Sequence, residues 1–343
     1  MAIKNIEILN VMAFQRQLRK NDRFRLNFSD GINVVIGENG VGKSTLLKMI
    51  YAAAQCSGGQ EQCGRTDVFT KYFSSQLRDE DLLKSKRAEQ EDSYFSVSDG
   101  EHKFKYSLSA RRLVDSEGWL GLNIPSVFIP TTEMLSHSKG FLALNQKYKL
   151  PFDGTQIDII VNASLPETRE ISEIMQGVLD KISRVIDGEV IQEDDTFYIM
   201  KRDGRKLEFS LEAEGLRKLA MLWKLIRNGL LEEGTILLWD EPEANLNPEL
   251  YPLVAEILLE LEKNGVQMFV ATHSYNFAKY LELRRTKKEQ VQFHNLYKDN
   301  PEMKEYSSES DEIYTVSAYS MEELKQNHII LADNKLLDEV YGL

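Results

Sequence analysis

The sequence predicts an α/β protein with a mixed central sheet, and three segments carry that prediction. The apolar strand Ile32-Asn33-Val34-Val35-Ile36 enters a glycine-rich turn and then the helical run Thr45-Leu46-Leu47-Lys48-Met49-Ile50. A second apolar run, Ile236-Leu237-Leu238-Trp239, stops at Asp240-Glu241-Pro242, and a third, Val266-Gln267-Met268-Phe269-Val270-Ala271, stops at Thr272-His273-Ser274. Buried strands that alternate with helical patterns assemble as a parallel sheet covered on both faces.

Composition bounds the rest. With 343 residues, 42% hydrophobic and 28% charged, the chain can build one large domain with insertions or two smaller ones, and it is not compositionally disordered. No apolar stretch approaches the roughly 20 residues of a membrane-spanning helix. Met1-Ala2-Ile3-Lys4-Asn5-Ile6 lacks an apolar signal core, so a cytoplasmic protein with no membrane partner is expected. The net charge of −12, from 42 basic and 54 acidic side chains, disfavours indiscriminate nucleic-acid coating but leaves room for a local basic groove. Cys56 and Cys63 are spaced too widely for a CxxC motif, and free thiols are expected.

From the N-terminus, residues 3–9 and 23–28 alternate as strands leading into the strand at 32–36, and the helix after Lys43 runs to about residue 54. Between 56 and 92 the chain turns polar, through Gly58-Gly59 and the charged stretch 78–87, and reads as a loop followed by an exposed helix. Phe95-Ser96-Val97 and Lys103-Phe104-Lys105-Tyr106-Ser107-Leu108 flank Asp99-Gly100, a hairpin signal that predicts a small antiparallel sheet. Ser126-Val127-Phe128-Ile129-Pro130 is a core strand closed by proline, with loop and helix over 131–151. Ile171, Ile174, Val178, Ile182, Val185 and Ile186 mark an amphipathic helix within 167–187. Val190-Ile191, Phe197-Tyr198-Ile199-Met200 and Leu207-Glu208-Phe209 form a three-stranded meander. Helices at about 214–228 and 248–263 flank the acidic strand, and another follows His273. The tail from 285 adds short strands near 291–293 and 314–316 and a last helix near 336–341. Residues 1–55 and 206–343 are thus the expected core and 56–205 an insert; there is no internal repeat and no sustained heptad pattern.

The chemistry lies at the strand ends. Gly37, Gly40 and Gly42 let the turn Gly37-Glu38-Asn39-Gly40-Val41-Gly42-Lys43-Ser44 close tightly, so its N–H groups and the positive end of the next helix face a phosphate. The nucleotide set expected of this P-loop is Gly37, Asn39, Gly40, Gly42, Lys43, Ser44 and Thr45, with Lys43 reaching the β/γ-phosphates and the Ser44 hydroxyl on Mg²⁺. A strand ending in Asp-Glu-Pro is, by itself, a common exit from a sheet. Paired with a P-loop, Asp240 holds Mg²⁺ and Glu241 orients or deprotonates the attacking water. His273 alone would read as a surface or capping residue; at the C-terminal edge of the next strand it approaches the same phosphate pocket. Phe14 is open to two readings, an adenine platform or a core residue.

Taken in chain order, the turn at 37–44, the helix start Ser210-Leu211-Glu212-Ala213-Glu214-Gly215-Leu216-Arg217-Lys218-Leu219-Ala220, the strand at 236–241, Asn245-Leu246-Asn247 and Thr272-His273-Ser274 resemble five motifs. These are the Walker A, signature, Walker B, D-loop and switch-histidine motifs of ABC-type ATPases. The nearest likeness is to the RecF/SMC/OLD branch, including ATPase subunits of phage-defence systems such as Septu and PARIS, over about residues 3–282. The resemblance implies an ABC-type P-loop NTPase with an N-terminal antiparallel β element and a helical and β insert between Walker A and signature. It implies ATP hydrolysis to ADP and phosphate with Glu241, Lys43 and His273 catalytic, His273 sensing the γ-phosphate, and Ser44 and Asp240 on Mg²⁺. It also implies a homodimer or higher homo-oligomer formed as an ATP sandwich, in which Gly215 of a second protomer closes the site.

Two departures stand out. Ala213 replaces the serine usual in the signature, so Gly215 N–H with Arg217 or Lys218 must do more; and Thr131-Thr132-Glu133 occupies the Q-loop position without its glutamine. Ser57-Gly58-Gly59-Gln60 imitates the signature core LSGGQ, but a glycine pair after a helix is a helix stop. The leading expectation is an ATPase whose nucleotide-dependent dimerisation controls a separate effector, a nuclease or toxin, in bacterial anti-phage defence. The tail lacks the acidic clusters of an appended Toprim nuclease, so a partner carries the output. The alternative is a RecF-like DNA-repair ATPase, in which Lys84-Ser85-Lys86-Arg87 and Arg284-Arg285-Thr286-Lys287-Lys288 are DNA contacts rather than solvated helix faces. A transporter ATPase subunit shares the motifs but not the Q-loop or the signature.

Overall fold

The N-terminal alternation folds as β1 (Asn5–Leu9) and β2 (Phe24–Asn27), and the wholly buried β3 (Ile32–Gly37) then opens the central sheet. The computed structural model describes residues 1–14, 23–59, 68–73, 92–108, 112–148, 150–298, 313–324 and 327–341. After β3 come α1 (Lys43–Cys56) and the short α2 (Val68–Phe73). Ser57 closes α1 by donating from both its N–H and its hydroxyl to Ala54 O, at 3.0 and 2.6 Å, so the signature-like segment is the helix stop expected of it. Gln60, Cys63, the charged stretch 78–87 and the cluster Lys84-Ser85-Lys86-Arg87 lie outside the described residues. Cys56, the last residue of α1, is buried.

The hairpin around Asp99-Gly100 forms as β4 (Tyr94–Ser98) and β5 (Lys103–Ser107), followed by β6 (Arg112–Asp115). It is not a sheet of its own. Strand β4 pairs with β1, Phe95 opposite Ile8 and Val97 opposite Ile6, giving a five-stranded antiparallel sheet in the order β2-β1-β4-β5-β6. Matching apolar alternation on two strands distant in sequence produces this pairing, because it puts both inward rows on one face.

Strand β7 (Ser126–Ile129) belongs to the central sheet. Next come α3 (Phe141–Tyr148) and α4 (Gly154–Ala163), the latter not foreseen, then α5 (Glu173–Val185), which falls within the amphipathic pattern at 167–187. The meander is observed as β8 (Gly188–Glu193), β9 (Thr196–Lys201) and β10 (Lys206–Glu208), a separate three-stranded sheet. The remaining elements are α6 (Glu214–Arg227), β11 (Ile236–Asp240), α7 (Tyr251–Lys263), β12 (Gln267–Thr272), α8 (Tyr275–Arg284), β13 (Val291–Lys298), β14 (Ile313–Ala318) and α9 (His328–Tyr341).

The central sheet runs β14-β13-β3-β12-β11-β7, with every pairing parallel except the antiparallel edge β14. It has two apolar faces. Ile32, Val34, Ile36, Leu237, Trp239, Met268 and Val270 pack with the layer of α4 to α8. Val35, Ile236, Leu238, Phe269 and Ala271 pack against α1, which is sandwiched between the central sheet and the antiparallel one. The parallel register sets Ile129 beside Trp239, Asp240 beside Ala271 and Thr272 beside Ile36. The chain segments leaving β3, β7, β11 and β12 therefore emerge together at one edge, where an open α/β sheet binds ligands.

Candidate active site

At that edge β3 ends at Gly37, where a Cβ would fall on the Leu296 carbonyl oxygen of β13; close strand approach excludes any larger residue. Gly40 and Gly42 have φ of 80° and 92°, left-handed values that favour glycine. Gly42 is the N-cap of α1. Asn39 and Gly40 are exposed, as expected of a loop that offers N–H groups to an anion. The Lys43 ammonium is buried and folds back to donate to Gly37 O at 2.7 Å and Glu38 O at 3.0 Å. Burial holds its pKa below the usual lysine range, against the opposing pull of Glu241, Asp240, Glu243 and Glu38. Thr45, in the first turn of α1, sets its hydroxyl 3.9 Å from Met12 Sδ.

Asp240, the last residue of β11, is buried beside the start of α1. Burial raises its pKa, and the nearby Ser44 and Thr131 side chains pull the other way. Oδ1 of this carboxyl has no hydrogen-bond partner. A buried acceptor without a partner, with two hydroxyl side chains nearby, is a hard-oxygen set that suits Mg²⁺, which takes one or two carboxylates and completes its shell with substrate phosphates and water. Among the described residues no group of three or more His, Cys, Asp or Glu side chains could hold a metal ion. Thr131, the second residue after β7, lies close to this carboxyl.

Glu241 turns the chain with φ of 52°, its N–H donating to Ala271 O at 2.9 Å. Its Oε1 lies 3.1 Å from His273 Nδ1, and the imidazole is about half exposed. One carboxylate escaped the sequence reading. Glu243 is buried, accepts the Thr272 hydroxyl and, at 3.3 Å, the His273 N–H, and so ties the loop after β11 to the loop after β12. Burial raises its pKa. A third acid within four residues of Asp240 was a visible signal. An open cleft of about 560 Å³ borders Glu38, Glu243, Asn245, Tyr251, His273 and Ser274.

Gly215 sits in the first turn of α6, buried, where a Cβ would come 2.6 Å from Asn245 O and 3.0 Å from Leu246 Cα. Within one protomer the start of α6 therefore rests on the Asn245-Leu246 backbone. Ala213 caps α6 without any side-chain hydrogen bond. Of the two cations expected to compensate for the missing hydroxyl, Lys218 turns inward and is 1% exposed, while Arg217 pairs with the buried Glu133 at 3.3 Å. Phe14 is 1% exposed, packed under Gly42 and 4.6 Å from the Phe24 ring. That burial rules out adenine stacking and decides for the core. In the basic cluster, Arg284 pairs with Glu256 at 2.7 Å and Lys288 with Glu323 at 2.9 Å.

A family profile described as "AAA domain, putative AbiEii toxin, Type IV TA system" matches residues 32–278. The fold is similar to the Smc head solved with the C-terminal winged-helix domain of ScpA, with a TM-score of 0.53 at 14% identity over 94% of this chain and 98% of that one. Short stretches also match transport proteins. The L-cystine import ATP-binding protein TcyN of Bacillus subtilis (strain 168) is 50% identical over 54 residues, 16% of this chain and 21% of the relative. The arginine transport ATP-binding protein ArtP of Haemophilus influenzae (strain ATCC 51907 / DSM 11121 / KW20 / Rd) is 38% identical over 53 residues, 16% and 22%. These matches span about a fifth of the curated relatives' length. Sheet topology and structural likeness together give an α/β P-loop NTPase fold of the SMC-head and ABC kind.

Proposed function

This chain belongs to the AAA-domain family described as putative AbiEii toxin of type IV toxin–antitoxin systems, and from that premise we propose that it binds and hydrolyses ATP as a nucleotide-dependent dimer. The observation that carries the reading is the place of Asp240 at the end of the acidic strand, buried with its Oδ1 unpartnered and with Ser44, the last residue of the P-loop, close by.

In this mechanism the N–H groups of residues 37–45 and the Lys43 ammonium, released from the Gly37 and Glu38 carbonyls, cradle the phosphates. Ser44, Asp240 and Thr131 would hold Mg²⁺, which would supply positive charge to offset that of the bound phosphates. Glu241 orients a water and takes its proton. The water oxygen bonds to the γ-phosphorus as the bond to the β–γ bridging oxygen breaks, and ADP and inorganic phosphate leave. His273, aimed by Glu243 through its backbone N–H, contacts the γ-phosphate and the Glu241 carboxylate. Asn39, Gly40, Asn245 and His273 are exposed on the side where the second protomer, with its Gly215, would close the sandwich.

The family description, a toxin–antitoxin component, supports a partner-regulated role. A cytoplasmic ATPase subunit that controls a separate nuclease or toxin in anti-phage defence, in the manner of Septu or PARIS, is the biology we favour. Two facts weigh against the other readings. The cations Arg284 and Lys288 are already paired, and the transport relatives match only in a short stretch. Among the described residues no helix is long and apolar enough to cross a membrane.

The test is equilibrium titration with a non-hydrolysable ATP analogue and Mg²⁺, read together with the mass in solution. Wild type is expected to bind and dimerise, and Lys43→Ala to do neither. Equal binding by both proteins would remove the P-loop from the mechanism.

A further inference from the structure

Lys218 is the buried cation of the signature-position helix, 1% exposed in the second turn of α6. Among the described residues its one hydrogen-bond acceptor is the Glu241 carbonyl oxygen, 3.3 Å from Nζ. An ammonium taken out of water is unfavourable unless it is paired. Here the surroundings are Glu214, Glu243, Glu241 and Asp240, whose charges oppose the effect of burial.

The acceptor is unusual too. Glu241 is left-handed, with φ of 52°, a conformation that a residue with a Cβ keeps only when its surroundings enforce it. Those surroundings are on both sides. Strand β12 takes the Glu241 N–H through Ala271 O at 2.9 Å, and α6 takes its carbonyl through Lys218. Three residues earlier on the same helix, Gly215 lies against the backbone of Asn245 and Leu246. Helix α6 therefore touches the catalytic loop at its beginning and at its end, while the other end of the helix start is exposed at Ala213.

We propose that Lys218 is a positioning residue: it fixes the backbone turn that aims the Glu241 carboxylate, and so carries contact made at the N-terminus of α6 to the attacking water. This rests on the ATPase reading above. An apolar side chain of similar length would fill the same volume but could not hold the carbonyl.

The experiment measures ATP turnover and ATP-analogue affinity for wild type, Lys218→Met, Lys218→Arg, Glu241→Gln and the Lys218→Met/Glu241→Gln pair. Lys218→Met is expected to lower kcat by about tenfold or more while KM and affinity move less than about twofold, the pattern of an interaction used in the transition state. Lys218→Arg, which can donate to the same oxygen, is expected to recover part of the loss. With Glu241→Gln already present, adding Lys218→Met is expected to change residual turnover no further. Should Lys218→Met fail to fold, the same cycle is run with Lys218→Gln. Wild-type kcat in the Lys218 variant, or an equal loss in both backgrounds, overturns the proposal. If wild type turns over, Glu241→Gln does not, and Lys218→Met is unaffected, only this inference falls; if wild type does not turn over, the ATPase reading falls with it.

Discussion

Glu241 Oε1 and His273 Nδ1 stand 3.1 Å apart, bridging the loops that follow β11 and β12. The two groups reach one another only because Asp240 and Ala271 are in register, so that each strand releases its loop at the same height. His273→Ala is expected to reduce ATP turnover by about 10²- to 10³-fold, the usual loss when one positioned donor is removed, with nucleotide affinity nearly unchanged. Rapid-quench turnover beside an affinity titration checks both halves. A matching loss of affinity would assign His273 to ground-state binding instead.

Two glycines on helices should respond in opposite directions to the same substitution. Gly215→Ala places a methyl group 2.6 Å from Asn245 O, and backbone cannot move aside as a flexible side chain would. The clash is expected to outweigh the better helix propensity and to destabilise by about 1–3 kcal/mol. Gly177→Ala, in α5 with nothing within 4 Å of the new carbon, is expected to stabilise by about 0.5–1 kcal/mol. Urea midpoints for the two variants decide the matter, and stabilisation by Gly215→Ala would contradict the close approach.

His294 gives the fold an acid limit away from the site. It is fully buried, and desolvation brings its pKa down from 6.5 to about 3. Nε2–H donates to Asn33 Oδ1 at 3.2 Å, since that oxygen also accepts the Ser29 N–H, and Nδ1 accepts the Ser317 hydroxyl at 2.8 Å. The unfolded chain takes up this proton below pH 6.5 and the folded protein only near 3. The stability is therefore complete above 6.5 and is lost as pH falls from there towards 3, at up to about 1.4 kcal/mol per unit from this group. His294→Gln should show a shallower decline between pH 6.5 and 4, whatever its stability at neutral pH. Parallel declines would show that the imidazole is protonated in the native protein.

Arg284→Ala with Lys288→Ala is expected to alter DNA retention by less than about twofold at any salt concentration, because both cations already serve Glu256 and Glu323. A clear fall in the salt slope of DNA binding, measured by fluorescence anisotropy, would restore the RecF-like alternative.

What was legible in the sequence was local. The turn at 37–44, the acidic end of β11 and the strand before His273 each announce themselves by glycines or by an apolar run that stops at charge, and the parallel sheet follows from their spacing. What stayed hidden depends on partners distant in the chain. No local pattern says that β4 will pair with β1, or that Phe14 will lie under Gly42. Lys218 carries the same charge as a solvated helix lysine, and only the position of Glu241 shows why it points inward. Helix α4 is a different case, since Asp153 and Gln156 form the capping box that marks its start, a signal present in the sequence.

The most direct measurement of the central claim is phosphate release by Glu241→Gln, followed together with its mass in solution. The amide keeps the shape of the side chain but cannot take a proton from water. The variant is expected to bind Mg²⁺–ATP as tightly as wild type, to release phosphate more slowly by about 10² or more, and to accumulate as a dimer with ATP unspent. Phosphate release at the wild-type rate by Glu241→Gln would contradict it.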